Sequence, residues 1–212
     1  MTRLSGVAKA AGGGYHSIVM KQHGSVWSAG ENFNGQLGDG WFTRKRNFVK
    51  VFESGAKDVT AGFAHSMLLH QNGSLWATGW NKFGQLGDGA ARDRHMFVNV
   101  MSDGVQAMAA GAWHSLVLKH DGSVWAAGEN EYGQFGDGSV ISSTTFKKVV
   151  DGEVTAVAAG EFRSFLVKKD GSVWATGIIG KNNSVTNYIN GRKKIKCILR
   201  IQLRSRNYFL FL

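Results

Sequence analysis

The chain has 212 residues, no proline, one cysteine, 29 glycines and a formal net charge of +10. That length suits one domain or two small ones with enough chain to bury a core. Cys197 alone excludes an internal disulfide framework, and no stretch approaches the roughly 18 apolar residues of a membrane span. A soluble protein without membrane association is therefore expected, in a reducing, intracellular setting, cytoplasmic or nuclear. The charge is unevenly placed: residues 1–177 carry 17 Lys/Arg against 15 Asp/Glu, whereas 178–212 carry eight basic residues and no acid. Nucleic-acid binding through the nearly balanced body is not expected.

Self-comparison reveals a step of 49 residues. Trp27, Trp76, Trp125 and Trp174 follow it, as do Gly13, Gly62, Gly111 and Gly160, and His16, His65 and His114 keep it with Arg163 in the fourth place. Across 16–40, 65–89 and 114–138, 12 of 25 positions are identical in all three copies. A fixed period of this kind marks a repeat architecture, in which each unit buries its apolar face against the next.

Taken in chain order, each copy predicts a strand before the histidine (Val59–Ala61, Met108–Ala110, Val157–Ala159) and a second after it, through Ile18–Met20, Met67–Leu69, Leu116–Leu118 and Phe165–Val167. Next come His23-Gly24, Asn72-Gly73, Asp121-Gly122 and Asp170-Gly171, then a third strand through the tryptophan. Asn-Gly and Asp-Gly accept positive φ at both central positions of a two-residue turn, so a hairpin is predicted here. An outer strand is expected near Phe48–Val51, Phe97–Val100 and Phe146–Val149. Four short strands per 49 residues is the size of one propeller blade. The expected fold is all-β, with β-propeller-type blades in three full repeats plus a partial fourth, an incomplete or open propeller. The array occupies 1–177, with units near 7–56, 57–105, 106–154 and 155–177.

The segment between hairpin and outer strand reads Asn32-Phe33-Asn34-Gly35-Gln36-Leu37-Gly38-Asp39-Gly40 and recurs at 81–89 and 130–138. Together with Gly-x-x-His-Ser and Asp-Gly-Ser-Val-Trp-Ala-x-Gly, it closely resembles the regulator of chromosome condensation repeat family over about residues 7–177. The resemblance implies a β-propeller, usually of seven blades, and two functions. One is a non-enzymatic protein-interaction scaffold; the alternative is a guanine-nucleotide exchange factor or regulator of a small GTPase of the Ran type, with chromatin contact.

The recurring residues themselves read as scaffold. Gly38, Gly87 and Gly136 allow positive φ and close backbone approach, and Asp39, Asp88 and Asp137 bond nearby amides. The Gly-x-x-Gly-x-Gly spacing is not a phosphate loop, having no strand-to-helix context. His16, His65 and His114 could form a metal ring, but equivalent blade positions lie too far apart for the roughly 2 Å bonds of one ion. A neutral imidazole bonded to the adjacent turn is expected instead. Trp27, Trp76, Trp125 and Trp174 are read as packing anchors between blades. Ser17 or Ser66 beside a histidine is no nucleophile and base, because adjacent strand residues point to opposite faces. No catalytic residue, metal or cofactor is expected, and the protein is read as not an enzyme.

Partner recognition belongs where the copies differ, in loops on a rigid frame. The sharpest difference follows the Gly-Asp-Gly turn: Trp41, Phe42, Thr43, Arg44, Lys45 and Arg46 in the first copy, against 90–95 with Arg92 and Arg94 in the second and 139–144 in the third. Variable positions beside the histidine and after the hairpin add Trp113 and Trp80. Trp and Arg are enriched at interface hot spots. The candidate partner-binding set is thus Trp41, Phe42, Arg44, Lys45, Arg46, Trp80, Arg92, Arg94 and Trp113, for a protein partner such as a small GTPase. Unclosed blade edges also invite self-association.

Residues 178–212 form a divergent basic tail. The motif due at 179–187 is absent, and Ile195–Leu203 alternates apolar and polar residues as an outer strand of a fourth blade would. Three readings stand: a capping blade, a basic targeting or nucleic-acid segment, or an out-of-frame or truncated end.

Overall fold

The computed structural model describes residues 4–178 and the backbone of three two-residue strands beyond them. The first blade is β1 (Val7–Gly12), β2 (His16–Lys21), β3 (Val26–Gly30) and β4 (Lys45–Phe52), antiparallel throughout and in sequential order. The second is β5 (Ala56–Ala61), β6 (His65–His70), β7 (Leu75–Gly79) and β8 (Arg94–Met101). The third is β9 (Val105–Ala110), β10 (His114–Lys119), β11 (Val124–Gly128) and β12 (Ser143–Val150). A fourth sheet holds β13 (Val154–Ala159), β14 (Arg163–Lys168) and β15 (Val173–Gly177). Among the described residues the sheets are blade-like and do not close into a ring, as in an incomplete propeller.

Beyond residue 178 the described backbone comprises β16 (Tyr188–Ile189), β17 (Arg192–Lys193) and β18 (Cys197–Ile198). Ile198 and Cys197 pair with Trp174 and Ala175, in the place of an outer strand. The rest of the stretch 195–203 lies outside the described residues.

First strands lie against first strands, β1 on β5, β5 on β9 and β9 on β13, so the sheets radiate with their first strands innermost. The core forms between successive sheet faces. Ile18, Met20 and Val26 of the first blade pack with Ala56, Val59 and Leu68 of the second. Met67, Leu75 and Leu86 of the second pack with Val105, Met108 and Val117 of the third. No blade can bury both faces alone, and removing this apolar surface from water, at about 25 cal/mol per Å², holds the array together. Trp76, Trp125 and Trp174 pack half-buried against the clusters of the three junctions, whereas Trp27, half-buried on the first blade, belongs to no such cluster among the described residues and is not the inter-blade anchor expected of it. Each of the four donates its Nε1 to the serine of its own hairpin turn at 3.0–3.1 Å.

The hairpin turn differs from the two-residue form expected. Gly73 N donates to His70 O and His70 N to Ser74 O, and φ is positive at Gly73 but not at Asn72. This is a type I turn closed by a glycine bulge. The side chain decides it: Asn72 Oδ1 accepts from Ser74 N at 3.0 Å and Asp121 Oδ1 from Ser123 N at 2.9 Å, which holds each in a local turn of its own. The outer strands are also longer than expected, beginning at Lys45, Arg94 and Ser143. Lys45, Arg46 and Arg94 are therefore strand residues rather than loop residues.

Candidate functional site

Antiparallel order places the turns after β1, β5, β9 and β13 and the long loops after β3, β7 and β11 at one end of the sheets. Each long loop is built by its buried asparagine. Asn81 accepts from Leu86 N through Oδ1, and its Nδ2 donates to Asp88 Oδ1, Ala90 O and Arg92 O at 2.9–3.1 Å. Asn32 repeats the arrangement with Leu37, Asp39, Trp41 and Thr43. Asp88 bonds Ala90 N at 3.0 Å and Arg94 Nε at 2.6 Å, while Asp39 bonds Trp41 N and faces Lys45 at 3.3 Å. Gly38 has φ +73°, and a Cβ there would come within 2.6 Å of Phe97 on the next blade. These loops are cross-bonded internally, and each lies against the next blade, Gly38 by Phe97, Gly87 by Phe146 and Gly136 by Thr176.

The histidines do not bond their adjacent turns as expected. His16 Nε2 meets Ser66 Oγ at 2.8 Å, His65 meets Ser115 at 3.0 Å and His114 meets Ser164 at 2.9 Å, each across a blade junction. Ser66 and Ser115 donate onward to Gln36 O and Gln85 O at 2.8 and 2.7 Å. A hydroxyl has one proton, so Nε2 of His16 and of His65 is the donor, while burial is what keeps the imidazoles neutral. Burial pushes His16 and His114 down to about 4; burial, with His16 and His114 on either side, takes His65 to about 3. A serine whose proton is committed to a carbonyl, beside so weak a base, is a junction tie rather than an activated nucleophile.

The partner-binding candidates divide into two groups. Trp80 and Trp113 are brought together edge to face, with ring centroids 4.5 Å apart. Around them stand residues that the sequence reading passed over: Phe63 lies 4.7 Å from Trp113, and Phe83 5.5 Å from Trp80. Tyr15 and Phe33 are 71% and 74% exposed, and Tyr132 lies 5.2 Å from Phe162. The available signal was that Gly14 gives way to Phe63 in the second copy and Asn34 to Phe83 and Tyr132 in the second and third. Trp and Tyr are enriched at contact surfaces, where one end of the ring is buried and the other is wet.

The second group lies at the rim. Trp41 is 65% exposed, and the Phe42 ring stands 5.0 Å from His95 on the next outer strand. Arg44 Nε pairs with Glu31 at 3.2 Å, and Arg46 and Arg92 are exposed. Lys45 and Arg94 are engaged by Asp39 and Asp88, and so serve the loops themselves. A concave surface of about 600 Å³ lies on the open face of the first blade, among Gly12–Ser17, Gly30, Lys45 and Phe48. The same register on the second blade receives the first.

The model of the regulator of chromosome condensation (RCC1) repeat matches residues 7–36, 56–85 and 105–134, and a second model of that repeat matches 72–118. The chain belongs to the RCC1 repeat family. Among solved structures it is similar to human WBSCR16 (21% identity, TM-score 0.78, covering 91% of this chain and 51% of that one). It is also similar to Prp20p from Saccharomyces cerevisiae (22% identity, TM-score 0.72, 95% and 52%) and to yeast RCC1 (Prp20) bound to Kap60 (22%, 0.71, 84% and 45%). The chain spans about half the length of these structures, and the likeness is one of fold. No curated protein matches it.

Proposed function

We propose that this RCC1-repeat array is a non-enzymatic protein-interaction scaffold that contacts a protein partner through its loop face. Trp80 and Trp113 form the centre of the contact, and Trp41, Phe42, Arg44 and Arg46 form its rim. The observation that carries this reading is the aromatic cluster of Phe63, Trp80, Phe83 and Trp113, which the repeat frame does not need at those positions. Rigid, half-buried aromatics lose little side-chain entropy on binding and supply most of the energy of a small contact. An intracellular setting, cytoplasmic or nuclear, goes with the proposal.

The test is affinity capture from extract with the wild-type chain, Trp80→Ala/Trp113→Ala and Trp41→Ala/Arg44→Ala, each checked for an unchanged melting transition. Loss of the captured protein in the first double variant is expected, with a weaker loss in the second. Capture unchanged in both would refute the reading.

A second reading, a guanine-nucleotide exchange factor or regulator of a small GTPase, is favoured by the fold shared with Prp20p, described by its binding to Gsp1p and histones. Nucleotide release from a panel of small GTPases, including one of the Ran type, separates the two. Acceleration by micromolar protein would establish exchange, and none across the panel would remove it.

A further inference from the structure

The junctions between blades on the loop face are built from equivalent positions but are not filled alike. At the second junction Trp80, Phe83 and Trp113 occupy the space, with ring centroids 4.5 to 6.4 Å apart. One repeat earlier the place of Trp80 is taken by Glu31, that of Phe83 by Asn34 and that of Trp113 by Ala64. A cleft of about 380 Å³ opens there, walled by Tyr15, Phe33 and Phe63 and lined also by Glu31, Asn34 and Gln36. Tyr15 and Phe63 meet at 5.7 Å with their planes 80° apart, and all three rings remain exposed.

Glu31 differs from its counterpart Glu129 at the third junction. There Gln134 Nε2 donates to Glu129 Oε2 at 3.3 Å. At the first junction Glu31 Oε1 is held by Arg44, while Oε2 is buried with no hydrogen-bond partner among the described residues. A buried carboxylate oxygen left without a donor is destabilising, and a cationic donor would relieve that.

We propose that this cleft binds an alkylammonium group, the head of a lysine side chain presented by a partner polypeptide. The faces of Tyr15, Phe33 and Phe63 attract a cation through their quadrupoles and pack against an apolar stem. Glu31 supplies the opposite charge and disfavours carboxylate or phosphate ligands. The chain already uses such contacts elsewhere: Lys21 stands 4.7 Å over the Trp27 ring and Lys168 3.9 Å over Trp174. Arg44 is the internal competitor for the carboxylate, and being 61% exposed it can be displaced.

The inference rests on the loop face being a protein contact, but small probes read the cleft without any partner, so either can fail while the other stands. Butylammonium and 1-butanol, matched in apolar stem, are titrated into the full chain by NMR. Butylammonium is expected to shift the ring signals of Tyr15, Phe33 and Phe63 with at least tenfold higher affinity. Glu31→Gln should abolish that advantage and Glu129→Gln should keep it, both with native signal dispersion. Should Glu31→Gln fail to fold, Arg44→Ala provides the second arm, with butylammonium binding at least twofold tighter. Equal binding of the two probes, an advantage that survives Glu31→Gln, or no gain in Arg44→Ala would overturn the proposal.

Discussion

His65 in the second blade donates from Nε2 to Ser115 Oγ in the third at 3.0 Å, and the Ser115 hydroxyl donates to Gln85 O of the second at 2.7 Å. Two blades are thus tied by one buried three-member chain, and the same tie joins the first blade to the second through His16, Ser66 and Gln36. Apolar contact between sheet faces is non-directional and would tolerate some sliding. The tie fixes the stagger, because any slip leaves buried polar groups unpaired.

Ser66→Ala strands both His16 Nε2 and Gln36 O, and should cost about 1–3 kcal/mol. Ser17 holds the same place in the first blade, where no preceding blade stands among the described residues, so Ser17→Ala should cost less than about 0.5 kcal/mol. Urea midpoints of the two variants, with an unchanged m-value, check the contrast. Equal losses would sink the junction-tie account.

The three buried histidines make stability depend on pH in a defined direction. Their folded pKa values, about 4, 3 and 4, lie below the unfolded value of about 6.5. The unfolded chain binds more protons between those limits, so stability rises with pH there and is lost as pH falls below about 6.5. The slope should approach about 1.4 kcal/mol per pH unit for each histidine. Denaturation midpoints from pH 7 to pH 5 should fall steeply, and His65→Gln should flatten the curve by one proton. An unaltered slope in that variant would contradict the assignment.

Gly38 and Gly138 separate strain from collision. Both have positive φ, but a Cβ at Gly38 meets Phe97 and Thr78, whereas at Gly138 nothing lies within 4 Å. Gly138→Ala should cost about 1 kcal/mol from the backbone alone. Gly38→Ala should cost a further 1–3 kcal/mol, roughly the penalty of overpacking. Thermal melts of the pair provide the comparison.

Asn81 satisfies four loop partners from a fully buried position. Asn81→Ala should destabilise by about 3 kcal/mol. Hydrogen exchange should locate the loss in 82–93, with the strands of the third blade protected as before. Protection unchanged in that loop would show that the asparagine does not organise it.

The sequence alone determined the repeat, its 49-residue step, the hairpin in each copy and the family. Those rest on local chemistry: Asn72-Gly73 turns the chain whatever lies beyond it, and apolar runs such as Met67–Leu69 need burial in any packing. The serine of each His-Ser pair even carried a signal, for Ser164 persists where Arg163 replaces the histidine. What it bonds could not be read, because its partner lies 50 residues earlier on another sheet. Tertiary structure alone decided three further things: the ties between blades, the meeting of Trp80 with Trp113, and the cleft that Glu31 leaves where Trp80 would stand. Each depends on how two sheet faces are staggered and spaced, a relation that period and propensity along one strand do not contain.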